Sequence, residues 1–103
     1  MKRKMISGYS QQVVNRYLDL AKPIYCLSMD LAPQYEWKDS RPTDNVVAYR
    51  GWFTQEGADA FSVKFTSEIK LPKYLAKVEF DGLEACEVRN NVYFRAKSIK
   101  EAK

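Results

Sequence analysis

The chain contains no histidine. This removes the side chain that most often serves as general base or metal ligand near neutral pH. It also lacks a glycine-rich phosphate loop and a nucleophile elbow, so nucleotide hydrolysis and acyl transfer have no sequence support. Asp39 and Asp44 are the one acidic pair offered for Mg²⁺, but a loop with two acids is ordinarily just solvated. The expectation is a protein that is not an enzyme, with no catalytic residues, no metal and no cofactor.

Long apolar runs are missing as well. None approaches 18 residues, which excludes a membrane-spanning helix. The basic opening Met1-Lys2-Arg3-Lys4-Met5 is not followed by a signal-type apolar stretch, because Ser7, Ser10, Gln11 and Gln12 intervene. A cytoplasmic protein is expected. Its two cysteines, Cys26 and Cys86, lie far apart in strand-like apolar contexts and read as small buried hydrophobes in a reducing compartment. With four glycines and four prolines there is no low-complexity segment. A chain of 103 residues makes one domain. It buries roughly 65% of its unfolded surface, enough for a modest core without staples.

What the chain does have is aromatic residues and unevenly placed charge. Seven Tyr, five Phe and two Trp suit a pleated, half-buried surface. Residues 1–29 and residues 88–103 each carry a net charge of +4, and the stretch between carries −4. The basic ends are interleaved with Tyr9, Tyr17, Tyr25, Tyr93 and Phe94. Cations among rings suit a polyanion that can also be stacked upon.

The periodicity predicts a mainly β fold. Residues 10–22 form a short helix, with Ser10 as N-cap and Pro23 as the stop. Residues 24–31 alternate as a half-buried strand with Tyr25, Leu27, Met29 and Leu31 on one face. The strand continues through Tyr35 and Trp37 if Pro33 sits at an edge or bulge. Residues 38–45 read as a polar loop with Lys38 and Arg41 at its tip. Residues 46–55 are the strongest strand, with Val47, Tyr49, Gly51 and Phe53 on one face and Arg50 and Trp52 on the solvent face. Gly51 marks a bulge or bend. Residues 61–66 pair back as a hairpin, and residues 74–80 give a further strand. Residues 83–88 and 92–97 flank Arg89-Asn90-Asn91, expected as a type I′ turn. In the last strand Val92, Phe94 and Ala96 face the core, while Tyr93, Arg95 and Lys97 line the outside. Five or six short strands at regular spacing predict a small closed or partly open barrel of the OB (oligonucleotide/oligosaccharide-binding) type. The single domain comprises a basic tail (1–9), a helix (10–22) and a barrel (24–99).

The outward residues define a candidate surface of Trp37, Lys38, Arg41, Arg50, Trp52, Lys64, Tyr93, Arg95 and Lys97. Aromatics between cations on a sheet face suit a single strand, whose bases stack while its phosphates are neutralised. A duplex would call for a recognition helix or ribbon fitted to the major groove. Residues 74–99, from Tyr-Leu-Ala-Lys-Val-Glu-Phe-Asp-Gly to Val-Tyr-Phe-Arg-Ala-Lys-Ser-Ile, resemble the end of small barrel proteins carried by Gram-positive conjugative elements and phages. Tyr35-Glu36-Trp37-Lys38-Asp39, followed by Pro42-Thr43, resembles their first long loop. Those proteins are similar in turn to the filamentous-phage single-strand DNA-binding proteins. The resemblance covers about two thirds of the chain by pattern, and the helical N-terminus departs from it. It implies an accessory factor that coats or guides single strands in replication or transfer, with Trp37, Arg50, Trp52, Tyr93 and Arg95 at the site. The expected partners are single-stranded DNA or RNA, a second copy of the chain, and a helicase or relaxase. The rival expectation is a dimerising interaction module for a replication or transfer protein that binds no nucleic acid itself.

Overall fold

The computed structural model describes residues 8–103. Lys2, Arg3 and Lys4 of the expected basic tail lie outside the described residues. The described residues form one short helix, α1 (Gln11–Tyr17), and eight strands. These are β1 (Ile24–Cys26), β2 (Ala32–Lys38), β3 (Arg41–Gln55), β4 (Phe61–Phe65), β5 (Lys77–Asp81), β6 (Glu84–Val88), β7 (Asn91–Ala96) and β8 (Ser98–Glu101).

Ser10 caps α1 as expected, accepting from the Val13 N–H at 3.2 Å. Val13 and Val14 seat the helix on the core. It ends at Tyr17, not at residue 22. The buried side chain of Gln55 captures the backbone just beyond it, accepting from Asp19 N–H at 2.9 Å and donating to Asp19 C=O at 2.6 Å and Lys22 C=O at 3.2 Å. Those backbone groups are satisfied by a distant strand, so the chain leaves the helix early.

The sheet runs β6-β7-β4-β3-β1-β5-β8, with β2 paired beside β3. It is an open path with β6 and β8 at its ends, where five or six strands of a barrel were expected. Two stretches raise the strand count, 24–38 by splitting and 91–101 by adding β8, while the break within 77–88 was expected. Residues 24–38 break at 27–31, where the Ser28 hydroxyl accepts from Trp52 N–H at 2.7 Å. Residues 77–88 break at Gly82-Leu83, and residues 91–101 break at Lys97. One hairpin register nonetheless holds from Val78↔Glu101 to Val88↔Asn91.

Inside lie Phe53, Phe61, Val63, Phe65 and Phe94, joined by Ile24, Cys26, Val78 and the helix valines. The inward sets expected for β4 and β7 are found. Of the two faces of residues 24–31, the one with Ile24, Cys26 and Ser28 is buried, while Tyr25 and Met29 on the other are exposed. On β3, Gly51 and Phe53 point in, but past the last β4 pair (Tyr49↔Phe65) the buried side switches: Val47 is exposed and Ala48, expected on the solvent face with Arg50 and Trp52, is buried. Gly51 keeps regular pairing with β4 and makes no bulge against it. Its missing side chain makes room for the Phe53 ring, 3.2 Å from where a Cβ would sit. Cys26 lies in the core cluster, whereas Cys86 is buried outside it, opposite Tyr93.

Residues 38–45 are not a loop. They form the end of a β2–β3 ribbon that turns at Asp39 and Ser40, both at positive φ (53° and 61°), as a two-residue primed turn requires. Polar bonds hold this ribbon in place of a core. Thr43 Oγ1 donates to Glu36 C=O at 2.9 Å, and Asn45 Nδ2 donates to Glu36 Oε2 at 3.0 Å. Pro33 lies in the edge strand β2, which pairs only with β3. The strand expected over 74–80 begins only at Lys77, since Leu75 has φ 68° and its N–H is tied to Cys26 C=O at 2.7 Å. The turn after β6 comprises Arg89 and Asn90 and places the positive φ (58°) on Arg89 alone, which is the φ pattern of a type II′ turn and not the expected I′.

Candidate nucleic-acid interface

Three of the expected residues form one row across three strands. Arg50 on β3 is paired with Lys64 on β4, and Lys64 with Arg95 on β7. Strands lie about 4.8 Å apart, so the row spans roughly 10 Å. Their neighbours Gly51, Val63 and Phe94 are buried, which turns the cations outward by the period-2 alternation of a strand. Glu84 on β6 ends the row, accepting from Arg95 Nε at 3.1 Å. The row is therefore three cations against one partly exposed carboxylate.

Aromatics flank it. Trp52, 47% exposed, lies two residues along β3 and is paired with Ser62. Tyr93 lies two residues before Arg95 on the same face and is exposed. Tyr9 was not among the expected site residues, yet its ring sits 4.0 Å from the Arg95 guanidinium carbon and 5.7 Å from Lys64 Nζ. Ser10 and Ala85 hold it there by exchanging two backbone hydrogen bonds of 2.9 and 3.0 Å. Burial, then the adjacent Cys86 thiol, raises the Tyr9 pKa, with Arg95 and Arg50 pulling the other way, so the phenol stays neutral. The sequence signal was only that Tyr9 is an aromatic in a basic segment. The bridge that aims it has no local signature.

The remaining expected residues lie elsewhere. Trp37, 67% exposed, pairs with Pro42 at the ribbon end, and Lys38 pairs with Arg41 beside the turn. Lys38 Nζ lies 3.3 Å from Glu36. Arg41 precedes Arg50 by nine residues on one strand, roughly 30 Å at the usual rise. The expected surface is thus two patches, one on the sheet and one at the ribbon tip. Lys97 joins neither: its N–H donates to Asp81 C=O at 2.9 Å, and its stem lies over Gly82 at the strand break.

A clip ties α1 to the sheet beside this face. Glu87 accepts from Arg16 Nη1 and from the Tyr17 hydroxyl, each at 2.6 Å. The Tyr17 hydrogen bond, then Arg16, holds the Glu87 pKa below the ordinary carboxylate value, while the same bond raises that of Tyr17. A depressed carboxylate stabilises the fold above its unfolded pKa, and that contribution is lost as pH falls through the folded value. The stability advantage of the wild type over Glu87→Gln should therefore be full near pH 6–7 and shrink below the unfolded pKa of about 4.3. Urea denaturation of both proteins across that range checks it. A gap that stays constant with pH would remove the carboxylate from the clip.

No protein-family profile, curated protein or solved structure matches this chain.

Proposed function

We propose that this protein binds single-stranded nucleic acid, with little sequence preference, on the outer face of β3, β4 and β7. The Arg50–Lys64–Arg95 row, bordered by Trp52, Tyr93 and Tyr9, carries the reading. Three cations track phosphates, and the rings beside them offer stacking surfaces worth about 1–3 kcal/mol per base. α1 is seven residues long with Arg16 as its only charge, a poor recognition helix for a duplex groove. The ribbon tip adds a second contact through Trp37, Lys38 and Arg41.

The strand pairing supports an OB-like barrel as part of this proposal. Residues 91–101 pair with β4 through β7 and with β5 through β8, so one stretch of chain joins the second strand at one end of the sheet path to the last strand at the other. The matching role is an accessory that coats or guides single strands in the replication or transfer of a mobile element.

The test is a titration with a thymidine oligonucleotide and with a duplex, followed by tryptophan fluorescence at two salt concentrations. Quenching by the single strand, weakened steeply by salt, is the expected result. Equal binding to the duplex, or no response to either, would refute the reading.

A further inference from the structure

Beside the cation row lies a cavity of about 550 Å³, within the size range of small-ligand sites. It opens between the end of α1, the β3–β4 turn and the first residues of β4 and β7. Its lining includes the apolar residues Leu18, Phe61 and Phe94, all buried in the fold, together with Trp52, Arg16 and Asp59. Trp52 thus belongs to the proposed binding face and to this cavity at once. We propose that the cavity receives one guanine base from the bound strand. The inference rests on the single-strand reading above and adds a base preference at one position.

The chemistry of the lining selects the base. Apolar walls and an indole suit an unstacked base, which strand-binding proteins commonly hold by ring contact and by its hydrogen-bonding edge. A guanidinium has five N–H donors in a fixed fork, and the contact with Glu87 occupies Nη1. Guanine offers such donors O6 and N7 as acceptors, the commonest specific pairing of arginine with a base. Guanine also carries N1–H and an N2 amino group, donors for which the Asp59 carboxylate is an acceptor. Adenine presents an amino group where guanine has O6. Thymine and cytosine, with one ring, fill less of the space. Asp59 would repel a phosphate, so the cavity suits the base and leaves the backbone to the cation row.

The test compares a thymidine oligonucleotide with the same oligonucleotide carrying one central guanine or one central adenine. Affinity is read by tryptophan quenching. A good bidentate contact discriminates against the wrong base by roughly tenfold or more, so the guanine-bearing strand should bind roughly tenfold tighter than either other strand. Asp59→Asn and Arg16→Gln should each bring that ratio close to one. A wild-type ratio near one, with the thymidine strand still bound, overturns the guanine site and leaves the single-strand reading standing. A ratio that survives both substitutions overturns the assigned residues. Binding of none of the strands removes both proposals together.

Discussion

The triple substitution Arg50→Gln, Lys64→Gln, Arg95→Gln should lower affinity for a thymidine oligonucleotide on the order of a hundredfold. A hydrogen bond to a charged group contributes about 1.5–3 kcal/mol, and three at the low end would exceed a hundredfold. The smaller figure allows for Glu84, which already engages Arg95 in the free protein and so reduces what that cation adds on meeting a phosphate. Salt gives a second, independent readout. Each phosphate neutralised on a single strand contributes about 0.7 to the slope of log K against log salt, so the slope should shrink by about 2. Glutamine retains part of each stem, and the three positions are only half-buried, so stability should change little. The ribbon tip supplies the comparison. Trp37→Ala with Arg41→Gln removes a patch roughly 30 Å away along β3 and should weaken binding far less. A folded triple variant that binds within threefold of the wild type would place the interface elsewhere.

The individual residues of this row were visible in the sequence, and their assembly was not. Arg50, Lys64 and Arg95 each sit at an outward position in a clean period-2 pattern, which is why β4 and β7 face the way their alternation predicts. The parallel pairing of Lys64 with Arg95 joins positions far apart in the chain, and no local pattern encodes it. The same holds for Tyr9, whose placement depends on the Ser10–Ala85 bridge, and for the end of α1, which a glutamine on β3 decides. Alternation also misleads where the buried side switches. Val47 continues the phase of Phe53, but past its last pair with β4 the strand buries Ala48 on the other face, so Val47 stays exposed. Residues 38–45 carry the composition of a loop because a ribbon without a core needs polar cross-links and not apolar ones. The burial of Ser28 and exposure of Met29 have the same kind of cause: the Ser28 hydroxyl is required by the Trp52 backbone, a partner that only the tertiary fold supplies.

Phe53→Ala should destabilise the protein by about 3–5 kcal/mol, the usual range for emptying a buried aromatic site. Phe53 is fully buried where β1, β3 and β4 meet, paired in register with Cys26 and Phe61. Its ring meets Phe80 edge-on at 4.9 Å between centroids and lies 6.1 Å from Phe61. Such pairs add about 0.5–1.5 kcal/mol beyond the area they bury. Gly51 cannot close the gap, because it has no side chain to move in. A domain of this size has about 5–15 kcal/mol to lose, so the variant should be marginal or unfolded at 37 °C. The urea midpoint should fall steeply with the m-value unchanged. Phe53→Leu keeps most of the volume and should cost clearly less. The consequence reaches the outer face, because Arg50 and Trp52 are aimed by the alternation that buries Phe53 between β1 and β4. Where Phe53→Ala is folded, oligonucleotide affinity should persist, and its loss on warming should track unfolding, whereas the cation-row variant loses affinity while folded. A Phe53→Ala protein with the wild-type urea midpoint would mean that the three-strand junction is not what holds the outer face in shape.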